Sequence, residues 1–311
     1  MLSRRNVRVK VMQALYAQSR DEQLSADDVM KLYRANIRHS FELYLLNLLY
    51  VVKIAEYAEA DHARRKAKLR PSDEDRAFRP LLSQNELVQS LTKHAEFQRA
   101  LRAHKLEKAA DEDKVRQLYT ELAKTPEYEK YLLLEAPTRE DHIGILIHLY
   151  KMCLANEIFN DTIEDSYPLW TDDESLIVGA MKKTIRALPA QPDFMEEFRP
   201  SREATVEFGE EMLRQLARNE QQYFGMIEPM LQNWDADRVA VVDMILLKMA
   251  ICELLNFPTI PTKVTLNEFL EISKQYSTEK SKEFINGILD RMMKMLLKEG
   301  KIVKEGRGLD G

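Results

Sequence analysis

Within the first twenty residues stand Arg4, Arg5, Arg8, Lys10 and Arg20, with no aspartate or glutamate among them. Guanidinium groups at this density suit the neutralisation of phosphate oxygens through charge-assisted, often bidentate hydrogen bonds. Val7, Val11, Ala14 and Leu15 recur at helical spacing, so the segment reads as a short amphipathic helix with Arg4, Arg8 and Lys10 mostly off its apolar stripe. Positive charge at a helix N-terminus opposes the macrodipole and costs roughly a few tenths of a kcal/mol per charge. That arrangement invites a phosphate partner; a merely solvated basic face is the alternative.

Other chemistry is harder to assemble. His142 and His148 are six residues apart, which is not the spacing of a helical ligand pair, and Glu157, Asp161, Glu164 and Asp165 read as an acidic helix face. Cys153 and Cys252 lie far apart in apolar contexts and suggest neither a disulfide framework nor a metal site. There is no nucleophile with a nearby base and no glycine-rich phosphate loop. The expectation is therefore a non-enzymatic chain with no catalytic residues, no metal and no cofactor.

The elements that must position the basic segment are helical. The 311 residues contain only 9 Gly and 11 Pro and are rich in Leu, Glu, Lys, Ala and Met, which favours an all-α fold. A formal net charge of −5 argues against a general polyanion binder, so any RNA site must be a local patch. No apolar run reaches the roughly 18 residues of a membrane span, and no signal-peptide core follows the basic start, so a cytoplasmic location is expected.

Along the chain, residues 27 to 60 read as one or two long helices, and the almost wholly apolar run from Phe41 to Ile54 as a buried helix or an oligomer face. The basic run Arg64 to Arg70 suits a solvated helix end, with RNA contact the alternative. Residues 84 to 136 suggest outer amphipathic helices, and residues 138 to 159 a buried one. Further helices are expected from Asp172 to Leu188, from Ser201 to Leu231 and from Val241 to Leu255, with a flexible tail beyond about Val303.

The stretch from Val264 to Asp290 is the most informative. Thr265 and Glu268 have capping-box spacing, and Val264 with Phe269 suits a hydrophobic staple, so a helix is expected to begin near Leu266 and a second near Glu279. In the second, Gly287 costs about 1 kcal/mol relative to alanine. Either a neighbouring helix packs closely there, or Phe284 and Asn286 flank a functional surface.

These residues carry a family resemblance. Pro261-Thr262-Lys263-Val264, Leu266-Asn267-Glu268, Lys274 and the run Ser281 to Asp290 resemble the C-terminal signature of the NusB transcription antitermination family. Ser3 to Arg8 with Gln13-Ala14-Leu15-Tyr16 resembles the same family's arginine-rich first helix. The resemblance covers roughly residues 3 to 20 and 203 to 292. It implies an all-helical bundle of two subdomains, here with an additional helical insertion. The expected division is a first helix at 1–20, an insertion at 21–170, remaining N-terminal helices at 171–230, a C-terminal subdomain at 231–300 and a tail at 301–311.

The resemblance also implies function: RNA-binding transcription antitermination on boxA-type single-stranded RNA of rRNA operons, with the ribosomal protein NusE and the RNA polymerase elongation complex carrying other Nus factors. By position, Arg4, Arg5 and Arg8 would neutralise phosphates, with Gln13 and Tyr16 on the same helix. Lys280, Ser281, Phe284 and Asn286 would approach from the C-terminal helix, and Asp237 and Asp243 would face NusE. Asn6 stands where many relatives carry a third arginine, and Lys280 where an acid can occur. Two other readings stay open: an interaction scaffold whose insertion carries the activity, and the RNA-binding module of an rRNA methyltransferase. The latter needs a Rossmann-type domain, for which little sequence remains after the helical module.

Overall fold

The structure, a computed structural model, describes residues 2–231 and 239–309. Among these residues it is all helix and turn, with no strand. They form two compact units, one of residues 38–199 and one that joins residues 2–37 to residues 200–311. Asp237 lies outside the described residues.

Two helices open the chain. Helix α1 (Arg4–Arg20) starts at a reciprocal capping box: the Ser3 hydroxyl accepts from the Asn6 amide, while the Asn6 side chain accepts from the Ser3 amide at 3.1 Å. Asn6 therefore holds the helix start. Helix α2 (Ala26–Lys66) is a single helix of 41 residues, with Asp27 and Asp28 in its first turn and Arg64, Arg65 and Lys66 in its last, both favourable for its dipole.

The unit of residues 38–199 is built on the apolar part of α2. Tyr44, Leu45, Leu48, Leu49, Val52 and Ile54 are buried among residues of α4 (Glu86–Thr92), α5 (Ala95–Ala103), α6 (Glu112–Leu122), α8 (Arg139–Leu154) and α10 (Trp170–Ala187). The short helices α3 (Asp73–Ala77), α7 (Pro126–Leu132) and α9 (Glu157–Ser166) complete it. Thus the run from Phe41 to Ile54 is a buried helix within its own unit. Its polar residues are matched: Ser40 donates to Asp173 at 2.8 Å, and Asn47 accepts from Tyr150 at 3.0 Å. Among the outer helices expected in residues 84 to 136, α4 and α5 are separate because His94 caps α5 by accepting from the Phe97 amide.

The basic run at the end of α2 is largely neutralised. Asp61 accepts from Arg65 at 2.8 Å and also binds Arg64, while Asp75 accepts from Lys68 at 2.7 Å. Arg65 additionally lies over the Phe78 ring.

In the unit formed by residues 2–37 and 200–311, the apolar helix α12 (Val241–Asn256) packs against α1, α11 (Glu211–Ile227), α13 (Thr262–Tyr276) and α14 (Ser281–Lys298). A π-helical segment, Glu203–Glu210, leads into α11 and lies on α1. It is held by Tyr33, whose hydroxyl donates to the Thr205 carbonyl at 2.8 Å. Gly209 permits that approach, since a Cβ there would stand 1.9 Å from the Tyr33 oxygen and 2.7 Å from Val7.

Three local expectations are corrected. Helix α13 begins at Thr262, after Pro261, and Thr265 and Glu268 form no capping box because both side chains reach other helices. Val264 is exposed and does not form a staple. Residues 301–309, expected as a tail, fold back on residues 257–258: the Glu305 amide donates to the Pro258 carbonyl at 3.0 Å, and Lys304 Nζ donates to the Phe257 carbonyl at 3.1 Å.

Candidate nucleic-acid interface

The three N-terminal arginines meet three carboxylates. Arg4, at the first turn of α1, pairs with Glu203 of the π-helical segment at 2.9 Å, and both side chains are well exposed. Arg5 grips Glu268 of α13 with two parallel hydrogen bonds, Nε to Oε2 at 2.8 Å and Nη2 to Oε1 at 2.7 Å. Arg5 is half exposed and Glu268 mostly buried, at 51% and 18%.

Arg8 is corrected from its expected place on the phosphate-facing surface. It is 2% exposed and makes two 2.7 Å hydrogen bonds to Glu253 of α12, which is fully buried. Its guanidinium carbon stands 5.0 Å from the Phe208 ring centroid and 5.8 Å from that of Phe269. Thr265 completes the arrangement by donating to Glu253 Oε1 at 2.8 Å, and Arg8 Nη1 also reaches Glu268 Oε2 at 3.5 Å. A buried arginine so fixed is an internal clamp joining α1, α12 and α13.

Charges from three helices influence this surface. The Arg5 guanidinium, hydrogen-bonded to Glu268, holds that carboxyl below its usual range despite partial burial. Glu271 on α13 is also held low, first by its contact with Lys274, then by the charges of Arg5 on α1 and Lys282 on α14. The start of α1 and the start of α14 therefore act on one carboxylate.

On α14, Lys280 is an exposed flanking residue, Asn286 is exposed and Phe284 is half-buried. On α1, Tyr16 is 42% exposed and Gln13 half-buried. Gly287 is also exposed, and a Cβ there would meet nothing within 4 Å. Among the described residues no helix packs closely enough to account for the glycine.

Ser281 and Asp243 turn inward, contrary to expectation. Both are nearly sealed from solvent, and the Ser281 hydroxyl donates to Asp243 Oδ2 at 2.7 Å. Ser277 donates to the other carboxylate oxygen and sits 2.9 Å from the Ser281 hydroxyl. The pair ties the turn between α13 and α14 to α12, so neither residue presents its polar group to a partner from the surface.

Sequence reading missed Glu203, Glu253 and Glu268 as partners of the arginines. Glu253 left a signal: with Asp243 it is one of two acids on an otherwise largely apolar helix, and a buried charge must be paired. Glu203, in a polar segment distant in sequence, left none. Among the described residues no group of three or more His, Cys, Asp or Glu could hold a metal, and no helix is long and apolar enough to cross a membrane.

Comparison with known proteins fits this architecture. A sequence model described as the NusB family matches residues 179–294. The transcription antitermination protein NusB of Salinibacter ruber is 39% identical over 108 residues, covering 35% of this chain and 68% of the relative. That of Chloroherpeton thalassium is 46% identical over 77 residues, 25% of this chain and 36% of the relative. The protein of the same name from Syntrophotalea carbinolica is 41% identical over 90 residues, 29% of this chain and 58% of the relative. The matched part of the chain thus spans between about a third and two thirds of these relatives' length, and the family model's residues 179–294 contain α11 to α13 and most of α14, the helices that hold Glu253, Glu268 and Asn286. By this similarity the chain belongs to the NusB family of transcription antitermination factors.

Proposed function

We propose that this chain binds boxA-type single-stranded RNA of rRNA operons and acts in transcription antitermination together with NusE and the elongation complex. The observation that carries the reading is geometric: half-exposed Arg5 of α1 is joined by two hydrogen bonds to Glu268 of α13, so the two segments that resemble the family's RNA-binding elements are linked through a solvent-accessible arginine. Arg4, Arg5 and Lys280 supply cationic groups for the backbone. Tyr16 and Phe284 supply aromatic faces, and stacking of an unpaired base on such a ring is worth about 1–3 kcal/mol. Gln13 and Asn286 supply amides suited to base edges.

The structure supports a narrower set of contacts than the sequence alone suggested. Arg8 and Ser281 support the site from within, by fixing α1 and α14 to α12. Asp243 has the same internal role, so a surface for NusE must be formed by other residues.

Equilibrium binding of a fluorescein-labelled boxA-type RNA, with and without NusE across a salt series, tests the reading. Binding that NusE strengthens, with a slope of about −0.7 per neutralised phosphate in log affinity against log salt, is the expected result. No binding under either condition would refute it and move attention to the unit of residues 38–199.

A further inference from the structure

The three arginines at the start of the basic N-terminal segment are ion-paired once folded. Arg4, Arg5 and Arg8 face Glu203, Glu268 and Glu253, three cations against three carboxylates. A phosphate approaching this surface meets guanidinium groups already holding anions. The two outer pairs differ from the inner one in accessibility: Arg4 and Arg5 reach solvent, whereas Arg8 and Glu253 do not.

We propose that Glu268 and Glu203 are internal phosphate surrogates, and that RNA binds by displacing them from Arg5 and Arg4. This rests on the RNA-binding reading above and adds the step by which the site opens. Three features make Arg5 the exchangeable member. It is the exposed half of its pair, so its side chain can swing outward while Glu268 stays in place. Its departure does not strand Glu268, because Arg8 Nη1 remains at 3.5 Å from Oε2. Arg8 itself cannot follow, since its other two nitrogens, Nε and Nη2, are fixed on buried Glu253.

The alternative is that Arg5 binds phosphate without letting go, using its remaining N–H groups. That would bring a phosphate close to two carboxylates, Glu268 and Glu271, of which Glu268 is poorly screened by solvent. Exchange avoids this repulsion. It also makes binding selective for a strand that offers phosphates in both positions, because each arginine released costs an existing ion pair.

The test uses the full chain and the labelled boxA-type RNA at low salt, with the variants Arg5→Ala, Glu268→Gln, their double mutant, and Glu203→Gln. Exchange predicts that Arg5→Ala weakens binding, that Glu268→Gln tightens it about three- to tenfold, and that the gain disappears in the Arg5→Ala background. Glu203→Gln should tighten binding about twofold, and both gains should shrink toward 1 M salt, where the screening length is about 3 Å. If Arg5→Ala weakens binding but Glu268→Gln leaves it unchanged or weaker, Glu268 positions Arg5 and the exchange is refuted while RNA binding stands. If Arg5→Ala is without effect, Arg5 is not a contact and the exchange is equally refuted. Absence of binding by the unmutated chain refutes the functional reading itself. Should Glu268→Gln melt early, Glu203→Gln decides, because its 73% exposed side chain contributes little to the fold; unchanged affinity there overturns the proposal.

Discussion

Arg8 and Glu253 form a bidentate ion pair with both hydrogen bonds at 2.7 Å and neither side chain exposed by more than 2%. It joins α1 to α12, residues separated by 245 positions in sequence. Removing one partner from such a pair leaves an uncompensated buried charge, whereas removing both leaves mainly a packing change.

Arg8→Met is accordingly expected to destabilise the unit of residues 2–37 and 200–311 by about 3–5 kcal/mol, and Glu253→Gln by a similar amount. The double variant Arg8→Met/Glu253→Leu should recover a large part of that loss. Urea denaturation at neutral pH measures this. A loss under about 1 kcal/mol in Arg8→Met would mean that the pair is solvated and does not clamp the helices.

Acid should weaken the same unit through two carboxylates. Glu268 is held low by its hydrogen bonds from Arg5, and Glu210 by those from Arg34 and Arg214. A carboxyl depressed by folding stabilises the native state above its unfolded pKa, and that contribution is lost as pH falls through its folded value. The melting temperature should therefore be insensitive to these groups near pH 7 and fall below about pH 4.5. In Glu210→Gln/Glu268→Gln the midpoint should start lower at pH 7 and decline less on acidification. Parallel curves for the two proteins would show that these pairs carry no pH-dependent stability.

The fold was legible where it depends on periodicity. Of the stripe expected on α1, Val7, Val11 and Ala14 are fully buried and Leu15 half-buried, while Arg8 and Lys10, expected mostly off it, are buried too; the apolar run of residues 241–255 does form the helix on which the others pack. Local pattern failed where side chains serve distant partners. Thr265 and Glu268 have the spacing of a capping box, but Thr265 bonds Glu253 on α12 and Glu268 bonds Arg5 on α1. The basic residues of the site were legible as residues but not as an accessible patch. Nothing in the local sequence of Arg8 distinguishes a buried clamp from a surface contact, because its partner is supplied by tertiary structure.

Gly209 tests the π-helical segment. Alanine there would place its Cβ 1.9 Å from the Tyr33 hydroxyl oxygen and 2.6 Å from Tyr33 Cζ. Such overpacking typically costs about 1–3 kcal/mol, and Gly209→Ala should fall in that range or above. Tyr33→Phe should not rescue it, because Cζ remains in the way, while Tyr33→Ala should relieve the overlap at the expense of its own cavity. Native stability in Gly209→Ala would mean that the segment can move off α1 freely, and Glu203 with it.

Gly287 tests the open surface of α14 in the opposite direction. It is a helical glycine with no neighbour within 4 Å of a Cβ among the described residues, so alanine gains helix propensity without overlap there, and Gly287→Ala should stabilise its unit by about 0.5–1 kcal/mol. If the bare backbone beside Asn286 admits an RNA strand at close range, the added methyl group should at the same time weaken binding of the labelled boxA-type RNA. A gain in stability joined to a loss of affinity separates the two roles, since damage to the fold would lower both. A stabilised variant with unchanged affinity would remove the backbone at Gly287 from the interface and leave Asn286 to be tested by its own side chain.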